Sequence, residues 1–233
     1  MQRFIGVTAL LSILGPLNGS AQTAGARTVE VSGRIVILEK GNKTSPDLGD
    51  AVVYLESPAT ASPPASARPL TVDIAITDKT YAPHVLVVPV GSSVRFPNHD
   101  PFNHNVFSLS EGNSFDLGLY GRGEAKSQTF LHPGLVRVYC NVHPRMVAYV
   151  QVMANRYFAQ PNADGSFTIS DVPPGSYRLH AWHERIPAEL VTNVTVGGAD
   201  PVQITLDARG YHLEPHRNKY GKNYPTNAGR ERY

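Results

Sequence analysis

The stretch that decides the fold is Leu135-Val-Arg-Val-Tyr-Cys-Asn-Val-His-Pro-Arg-Met-Val-Ala-Tyr-Val-Gln-Val-Met153. Apolar residues alternate along residues 135–139 and again along residues 147–153, which is the pattern of two β-strands. The seven residues between them, 140–146, are therefore expected to form a tight loop that joins the strands. Similar runs of Val, Ile and Tyr, broken by turn residues, recur along the chain and predict an all-β protein.

The loop contains the only cysteine of the chain, Cys140, with His143 and Met146 three and six residues later. A thiolate, an imidazole and a thioether are soft ligands that suit copper better than zinc or magnesium. A second imidazole has to come from elsewhere in the chain, and His104 is the candidate. One cysteine, two histidines and a weak axial methionine form the trigonal site of blue-copper electron carriers. The prediction is one such copper ion per chain, bound by these four residues.

Each of the four residues also has a common structural role. A lone cysteine at a strand end is more often a small buried hydrophobe than a ligand. A loop histidine is usually solvated, and Met146 suits an ordinary core. His99 lies near His104 in the sequence and competes with it as the second imidazole. The four together fit one geometry, which favours the metal site over four separate explanations.

The composition narrows the classes of function. A length of 233 residues suits two modest domains, and the formal net charge of +2 does not by itself decide about nucleic acid, which is not predicted as a partner. After the N-terminal segment no apolar run is long enough to span a bilayer, so no membrane span is expected. No Ser/His/Asp order, carboxylate pair or phosphate loop stands out, and the chain is not predicted to be an enzyme.

Residues 1–21 are expected to be a secretory signal peptide. Arg3 precedes a short apolar core from Phe4 to Leu14, and Gly19-Ser-Ala supplies small residues for cleavage. The mature protein is then periplasmic or secreted, in a compartment where disulfides form. Cys140 has no second cysteine to pair with in its own chain, so it is a free thiol, an intermolecular bridge or a metal ligand.

Over roughly residues 71–154 the sequence resembles a cupredoxin, with motifs shared by plastocyanin and amicyanin. They are, in order, Tyr81-Ala-Pro, Val90-Gly, Val94-Arg-Phe, Asn98, His104-Asn, Pro133-Gly, Tyr139-Cys, His143 and Met146. The C-x-x-H-x-x-M spacing with Pro144 after the histidine is most like amicyanin. The whole chain is similar to exported plastocyanin-like proteins called methylamine-utilisation proteins. The resemblance implies a Greek-key β-sandwich that exchanges electrons with a redox protein, such as a c-type cytochrome or a dehydrogenase.

The resemblance also implies roles for residues around the ligands. Asn105 is expected to tie the two ligand loops together and to donate its amide to the sulfur of Cys140. Pro144 lacks an N–H and so cannot add a second such bond, which predicts a less stabilised oxidised thiolate and a higher potential. Phe102, Val142 and Pro144 are candidates for an apolar electron-transfer patch around His143, with plain packing of the loop as the alternative.

The flanking segments resemble the carboxypeptidase regulatory-like, transthyretin-type sandwich. The matching pieces are Val31-Ser-Gly-Arg-Ile, Asp50-Ala-Val-Val-Tyr-Leu, and a hairpin from Asp164-Gly-Ser-Phe to Pro174-Gly-Ser-Tyr. The cupredoxin-like stretch intervenes where the family has a short connection, which indicates a domain inserted at a loop tip. Three modules in sequence are the alternative, but neither flank alone has enough strands to bury a core.

The predicted division of the chain has five parts. They are a signal peptide (1–21), a discontinuous β-sandwich (28–58 plus 155–207), a Pro/Ala/Ser-rich linker (59–70), a cupredoxin domain (71–154) and a basic tail (208–233) that is flexible or draped on the surface. Residues 111–124, with four glycines, are expected to be irregular. His180 and His183 are expected on a solvated strand face, with a second metal site there as the alternative.

Three functions are compatible with these features. The first is a soluble type-1 copper protein that carries single electrons. The second is a periplasmic copper-binding or delivery protein, which usually needs an exposed site rich in Met or His, whereas the chain has only three Met. The third is a β-sandwich recognition module whose cupredoxin part has lost its role, and the complete ligand set argues against that loss.

Overall fold

A computed structural model describes residues 28–56, 67–198 and 200–224 of the chain. The predicted signal peptide, most of the predicted linker and the last nine residues of the tail lie outside the described residues. Within them the chain forms eighteen β-strands and one short 3-10 helix, so the predicted all-β class is confirmed. No helix in these ranges is long and apolar enough to cross a bilayer.

The strands follow one another in the order β1 (Val29–Glu39), β2 (Lys43–Thr44), β3 (Val52–Glu56), β4 (Thr71–Asp73), β5 (Ala75–Thr77), β6 (Thr80–Ala82), β7 (Val85–Pro89), β8 (Ser93–Pro97), β9 (His104–Ser108), β10 (Phe115–Tyr120), β11 (Ala125–Thr129), β12 (Gly134–Cys140), β13 (Val147–Met153), β14 (Phe158–Ala159), β15 (Ser166–Val172), β16 (Gly175–Trp182), β17 (Leu190–Val196) and β18 (Val202–Asp207). The 3-10 helix, Leu48–Asp50, lies between β2 and β3.

One β-sandwich, which we call the outer sandwich, combines β1–β3 with β14–β18. One of its sheets has the order β15-β1-β18, with β2 paired to β1, and the other has the order β14-β3-β16-β17. β1 pairs antiparallel with β15 and parallel with β18, while β3 pairs antiparallel with β16. Ile35, Leu55, Phe167 and Leu179 are among the buried residues between the two sheets. Strands from both ends of the described chain therefore share one core.

The second β-sandwich, the inner sandwich, is formed by β4–β13. Its larger sheet has the order β10-β9-β12-β13-β7 and faces a smaller sheet with the order β11-β8-β4, while β5 and β6 form a separate hairpin. Side chains alternate between the two faces of a strand, and on β12 this sends Val136, Val138 and Cys140 into the core. Met146 joins the same core from the loop that follows.

A third, smaller apolar cluster lies where the two sandwiches meet. Val52 of β3 and Val85, Val87 and Met153 of the inner sandwich are buried together in it. An inserted domain has to leave its host domain and return to it at neighbouring points. The contact between the sandwiches agrees with such an insertion, as does the pairing of β1 and β3 with strands that follow the inner sandwich in the chain. The exact limits of the domains stay a prediction.

Two predictions about local structure were wrong. Residues 111–124 are not irregular throughout, since Phe115–Tyr120 forms the edge strand β10, paired with β9. His180 and His183 do not lie on a solvated face, because only 7% and 0% of their surfaces are exposed. His180 tolerates burial because Glu189 and Glu56 each bind one of its ring nitrogens, at 2.9 Å.

Candidate metal centre

The loop between β12 and β13 folds back on itself through its own backbone. The N–H of Met146 donates to the carbonyl of His143 at 3.1 Å, and the N–H of Cys140 donates to the carbonyl of Met146 at 3.2 Å. Both Cys140 and Met146 are buried, with 0% and 2% of their surfaces exposed. The loop thus places the thiol and the thioether at the same end of the inner core.

Strand pairing brings His104 to this loop from another part of the chain. His104 begins β9, which pairs with β12 so that Val106 lies opposite Cys140. Beyond the paired residues, the N–H of Asn141 donates to the carbonyl of Asn105 at 2.9 Å. These contacts hold the fully buried His104 against the end of β12.

Three of the four predicted ligands present donor atoms to one another. The Nδ1 atoms of His104 and His143 lie 3.7 and 3.6 Å from Sγ of Cys140 and 3.2 Å from each other. Nitrogen and sulfur ligands lie about 2.0–2.3 Å from a bound zinc ion, so donors that share an ion of similar size are roughly 3–4 Å apart. The observed separations fit a single transition-metal ion. Among the described residues this is the one group of at least three His, Cys, Asp or Glu side chains that meets such a criterion.

A buried carboxylate orients His104, and the sequence analysis did not identify it. Asp100, which is 3% exposed, lies with its Oδ2 2.9 Å from Nε2 of His104. The ring nitrogen that faces a carboxylate carries the proton, so the lone pair of His104 is on Nδ1, the atom that faces the sulfur. Burial lowers the pKa of His104, although Asp100 acts in the opposite direction. A carboxylate four residues before the candidate ligand His104 was the available signal.

Asp100 is itself fixed by the loop in which it lies. Its two oxygens accept the backbone N–H groups of Asp78 and Lys79, at 2.6 and 2.9 Å. The N–H of Asp100 donates to the side chain of the fully buried Asn98 at 2.9 Å. Burial alone would raise the pKa of Asp100, but these N–H groups and His104 lower it overall. Asp100 is therefore ionised and held in place before any metal binds.

The sulfur of Cys140 lies among backbone N–H groups. The N–H of Val142 points to Sγ at 3.4 Å, and the backbone N–H groups of Asn105 and His143 also favour the thiolate. The prediction that the sulfur has one donor, because Pro144 lacks an N–H, was therefore wrong. Pro144 does lack the group, but the turn aims the N–H of Val142 at the sulfur instead. The higher potential that was derived from a single donor loses its basis.

Burial nevertheless raises the pKa of Cys140, because desolvation outweighs the N–H groups around it. In the absence of a cation the thiol is therefore protonated near neutral pH. A bound metal ion supplies the positive charge that a buried thiolate requires. The donor set, its spacing and the environment of the sulfur thus fit a soft metal ion.

The other predicted residues have the following positions. The side chain of Asn105 does not contact the sulfur, since its Nδ2 donates to Oδ1 of Asp116 at 2.6 Å. Phe102, Val142 and Pro144 are all half-buried at this end of the sandwich. The ring of Phe102 is 5.9 and 6.1 Å from those of His104 and His143. Whether this patch is an electron port or only packing stays a prediction. His99 is exposed and outside the group of donors.

Comparisons with known proteins give partial similarities. The sequence model of the family described as "Polysaccharide lyase family 4, domain II" matches residues 141–202. No curated protein matches the chain. The matched family differs from the carboxypeptidase regulatory-like sandwich to which the flanks were likened, and that resemblance has no support in these comparisons.

Solved structures similar to part of the chain include cupredoxins. An oxidized mutant of amicyanin is 25% identical over 35% of this chain and 81% of its own, with a TM-score of 0.34. The Cu-containing nitrite reductase NirK from Thermus scotoductus SA-01 is 28% identical over 40% of this chain and 25% of its own, with a TM-score of 0.35. A purple cupredoxin from Nitrosopumilus maritimus is 21% identical over 52% of this chain and 99% of its own, with a TM-score of 0.30. None of these matches establishes the family of the whole chain.

Proposed function

We propose that this chain is a type-1 copper protein that carries single electrons between redox partners. The observation that carries the proposal is the convergence of the buried Sγ of Cys140 with the Nδ1 atoms of two histidines, at 3.6 and 3.7 Å. Thiolate and imidazole together select copper over hard cations such as magnesium. We further propose Met146 as the weak axial ligand, since it is buried beside Cys140 in the same core.

When bound at this centre, copper supplies a one-electron redox couple. The chain's own residues keep the donors in place. Paired strands support Cys140 and His104, the charge of Asp100 fixes which nitrogen of His104 faces the sulfur, and N–H groups stabilise the thiolate. A donor set that is held rigidly changes little in geometry when the charge of the bound ion changes, which favours fast electron transfer.

Two further features belong to the proposal. The ring of His143 lies beside that of the half-buried Phe102, so we take this end of the inner sandwich as the surface where an electron would enter or leave. A partner would be a redox protein such as a c-type cytochrome or a dehydrogenase, met in the periplasm or outside the cell. Four protein ligands leave no open coordination position for a substrate, which is the reason to propose a carrier and not an enzyme.

The test is titration of purified metal-free protein with Cu(II). The expected result is one copper per chain and an intense visible band from thiolate-to-copper charge transfer, which a reductant bleaches and an oxidant restores. Cys140→Ser should abolish the band, whereas His99→Ala, a change at an exposed histidine outside the donor group, should leave it unchanged. A colourless protein that passes Cu(I) to a chelator would favour delivery, and no copper uptake at all would leave only the recognition module.

A further inference from the structure

The C-terminal tail lies on the strand end and loop that carry Cys140. After β18 ends at Asp207, the described residues 208–224 contain no strand and cross this end of the inner sandwich. We call residues 208–224 the tail strap. Its His216 stacks on Tyr139, with ring centroids 4.3 Å apart and planes inclined by 21°. Its Tyr224 donates its hydroxyl to the carbonyl oxygen of Cys140 at 2.8 Å.

Lys219 of the tail strap connects the two segments that carry ligands. Its backbone N–H donates to Oδ1 of Asn141, the residue after Cys140, at 3.0 Å. Its Nζ lies 2.6 Å from Oδ2 of Asp116, whose Oδ1 accepts Nδ2 of Asn105 at 2.6 Å. Because Asn105 follows His104, Lys219 bonds directly to the cysteine segment and is linked to the histidine segment through Asp116.

The tail strap has an internal turn that presents these groups. Oδ1 of Asn218 accepts the N–H groups of Tyr220 and Lys222, both at 3.0 Å. The backbone of Asn218 also exchanges hydrogen bonds with Gly221 and Lys222 at 2.8 and 2.9 Å. The turn directs Lys219 inward, where its side chain is 21% exposed, and leaves its neighbour Tyr220 72% exposed. The inward contacts therefore belong to particular residues and not to the basic tail as a whole.

We propose that Lys219 and Tyr224 are positioning residues of the metal centre, and that the tail strap restrains the Cys140 segment against the His104 segment. In its metal-binding aspect this inference rests on the proposed function. Neither residue contacts a donor atom, and both act through the backbone or side chains next to the ligands. Outer contacts of this kind orient ligands and affect how tightly a metal is held. Without them the loop opens more often, because a surface loop with fewer contacts has a lower local stability.

The first experiment uses Cys140 as a probe in the metal-free protein. The rate at which a thiol reagent labels this single, buried cysteine reports how often the loop opens. Tyr224→Phe and Lys219→Met should each increase the labelling rate roughly three- to tenfold, the range that the loss of one ordinary hydrogen bond implies. The matched controls Tyr211→Phe and Lys222→Met change the same residue types elsewhere on the tail strap, where the side chains donate no hydrogen bond to the Cys140 or His104 segment, and should label as the wild type does.

The second experiment measures copper release to a chelator and the position of the visible band in the same five proteins. Faster release from Tyr224→Phe and Lys219→Met, with unchanged thermal midpoints of the metal-free proteins, would support positioning over a general loss of stability. Equal labelling rates in all five proteins would overturn the inference, whatever the rate of copper release and the position of the visible band. If the wild type takes up no copper, the proposed function fails, and the labelling rates alone still decide whether the tail strap restrains the loop.

Discussion

Asp100 determines what His104 is able to do. Its carboxylate binds Nε2 of His104 at 2.9 Å, so the lone pair of the ring remains on Nδ1, 3.7 Å from the sulfur of Cys140. An imidazole with the opposite tautomer would direct an N–H at the sulfur and could not be a ligand there. Asp100 therefore belongs to the centre as much as the donors do, although it faces away from the sulfur.

At the residue scale we predict that Asp100→Asn weakens copper binding roughly 10- to 100-fold, the usual cost of removing a partner that orients a ligand histidine. The substitution keeps the size of the side chain but removes the charge that favours the Nε2–H tautomer. Asp73→Asn is the matched control, because Asp73 pairs with Arg95 on the exposed surface of the same sandwich. Competition with a chelator gives the affinities, and equal values for the two variants would exclude an orienting role for Asp100.

The sequence could predict that Cys140, His143 and Met146 lie near one another, because a seven-residue loop forces its members close together. The orientation of individual groups could not be predicted from the sequence. That Val142 directs its N–H at the sulfur, or that Asn105 turns its side chain to Asp116, depends on backbone dihedral angles within two loops. The residue type does not specify those angles, so the prediction of a single donor to the sulfur failed, whereas the donor atoms of His104, Cys140 and His143 do lie together.

Gly33 allows three strands of the outer sandwich to approach closely. It lies in the middle of β1, paired with Phe167 of β15 on one side and with Val202 of β18 on the other. A Cβ at this position would lie 2.4 Å from the carbonyl oxygen of Val202 and 2.5 Å from the ring of Phe167. Because the carbonyl belongs to the backbone, rotation of a side chain cannot relieve that contact.

At the element scale we predict that Gly33→Ala lowers the free energy of unfolding by about 2–4 kcal/mol, through overpacking between β15 and β18. Gly210→Ala is the control, because a Cβ there meets no atom within 4 Å. Denaturant titration of both metal-free variants gives the free energies. Because Gly33 lies in the outer sandwich, the copper stoichiometry of the folded variant should be unchanged, and a loss of copper uptake in folded protein would contradict that expectation.

Strands with uninterrupted alternation, such as β12 and β13, were predictable from the sequence because their apolar residues recur with a period of two. β10 was missed for a local reason. Its register against β9 shifts between Asp116 and Leu119, and Gly118 within that shift has a φ of +67°. A bulge that contains a glycine in the left-handed region breaks the alternation, so the strand resembled an irregular segment until its partner was known.

At the scale of the whole molecule, a partly buried ion pair accompanies the apolar contact between the sandwiches. His84 of the inner sandwich and Glu184 of the outer sandwich are 2.9 Å apart, with 30% and 14% of their side chains exposed. The ring of Tyr149 packs against that of His84, with centroids 5.4 Å apart, and Asp50 adds negative charge near His84. The local sequence pattern does not predict this pair, because the two residues are 100 positions apart in the chain.

The pH dependence of this ion pair follows from its two pKa shifts. The hydrogen bond to Glu184 raises the pKa of His84, so its contribution to stability is complete below about pH 6.5 and is lost as the pH rises through the raised value. Burial would raise the pKa of Glu184, but His84 lowers it overall. The contribution of Glu184 is therefore complete above about pH 4.3 and is lost as the pH falls through the lowered value. The pair stabilises the contact most between these limits.

A double-mutant cycle with His84→Gln, Glu184→Gln and the double variant tests this expectation in the metal-free protein. Denaturant titration at pH 5.5 should give a coupling free energy of about 1 kcal/mol, the size expected for a charged hydrogen bond that is partly exposed to solvent. As the pH rises through the raised pKa of His84 the ring loses its charge, so the coupling should be smaller at pH 8.5 than at pH 5.5 and the two single variants should converge in stability. A coupling of equal size at both pH values would mean that the proton on His84 is not what joins the two sandwiches.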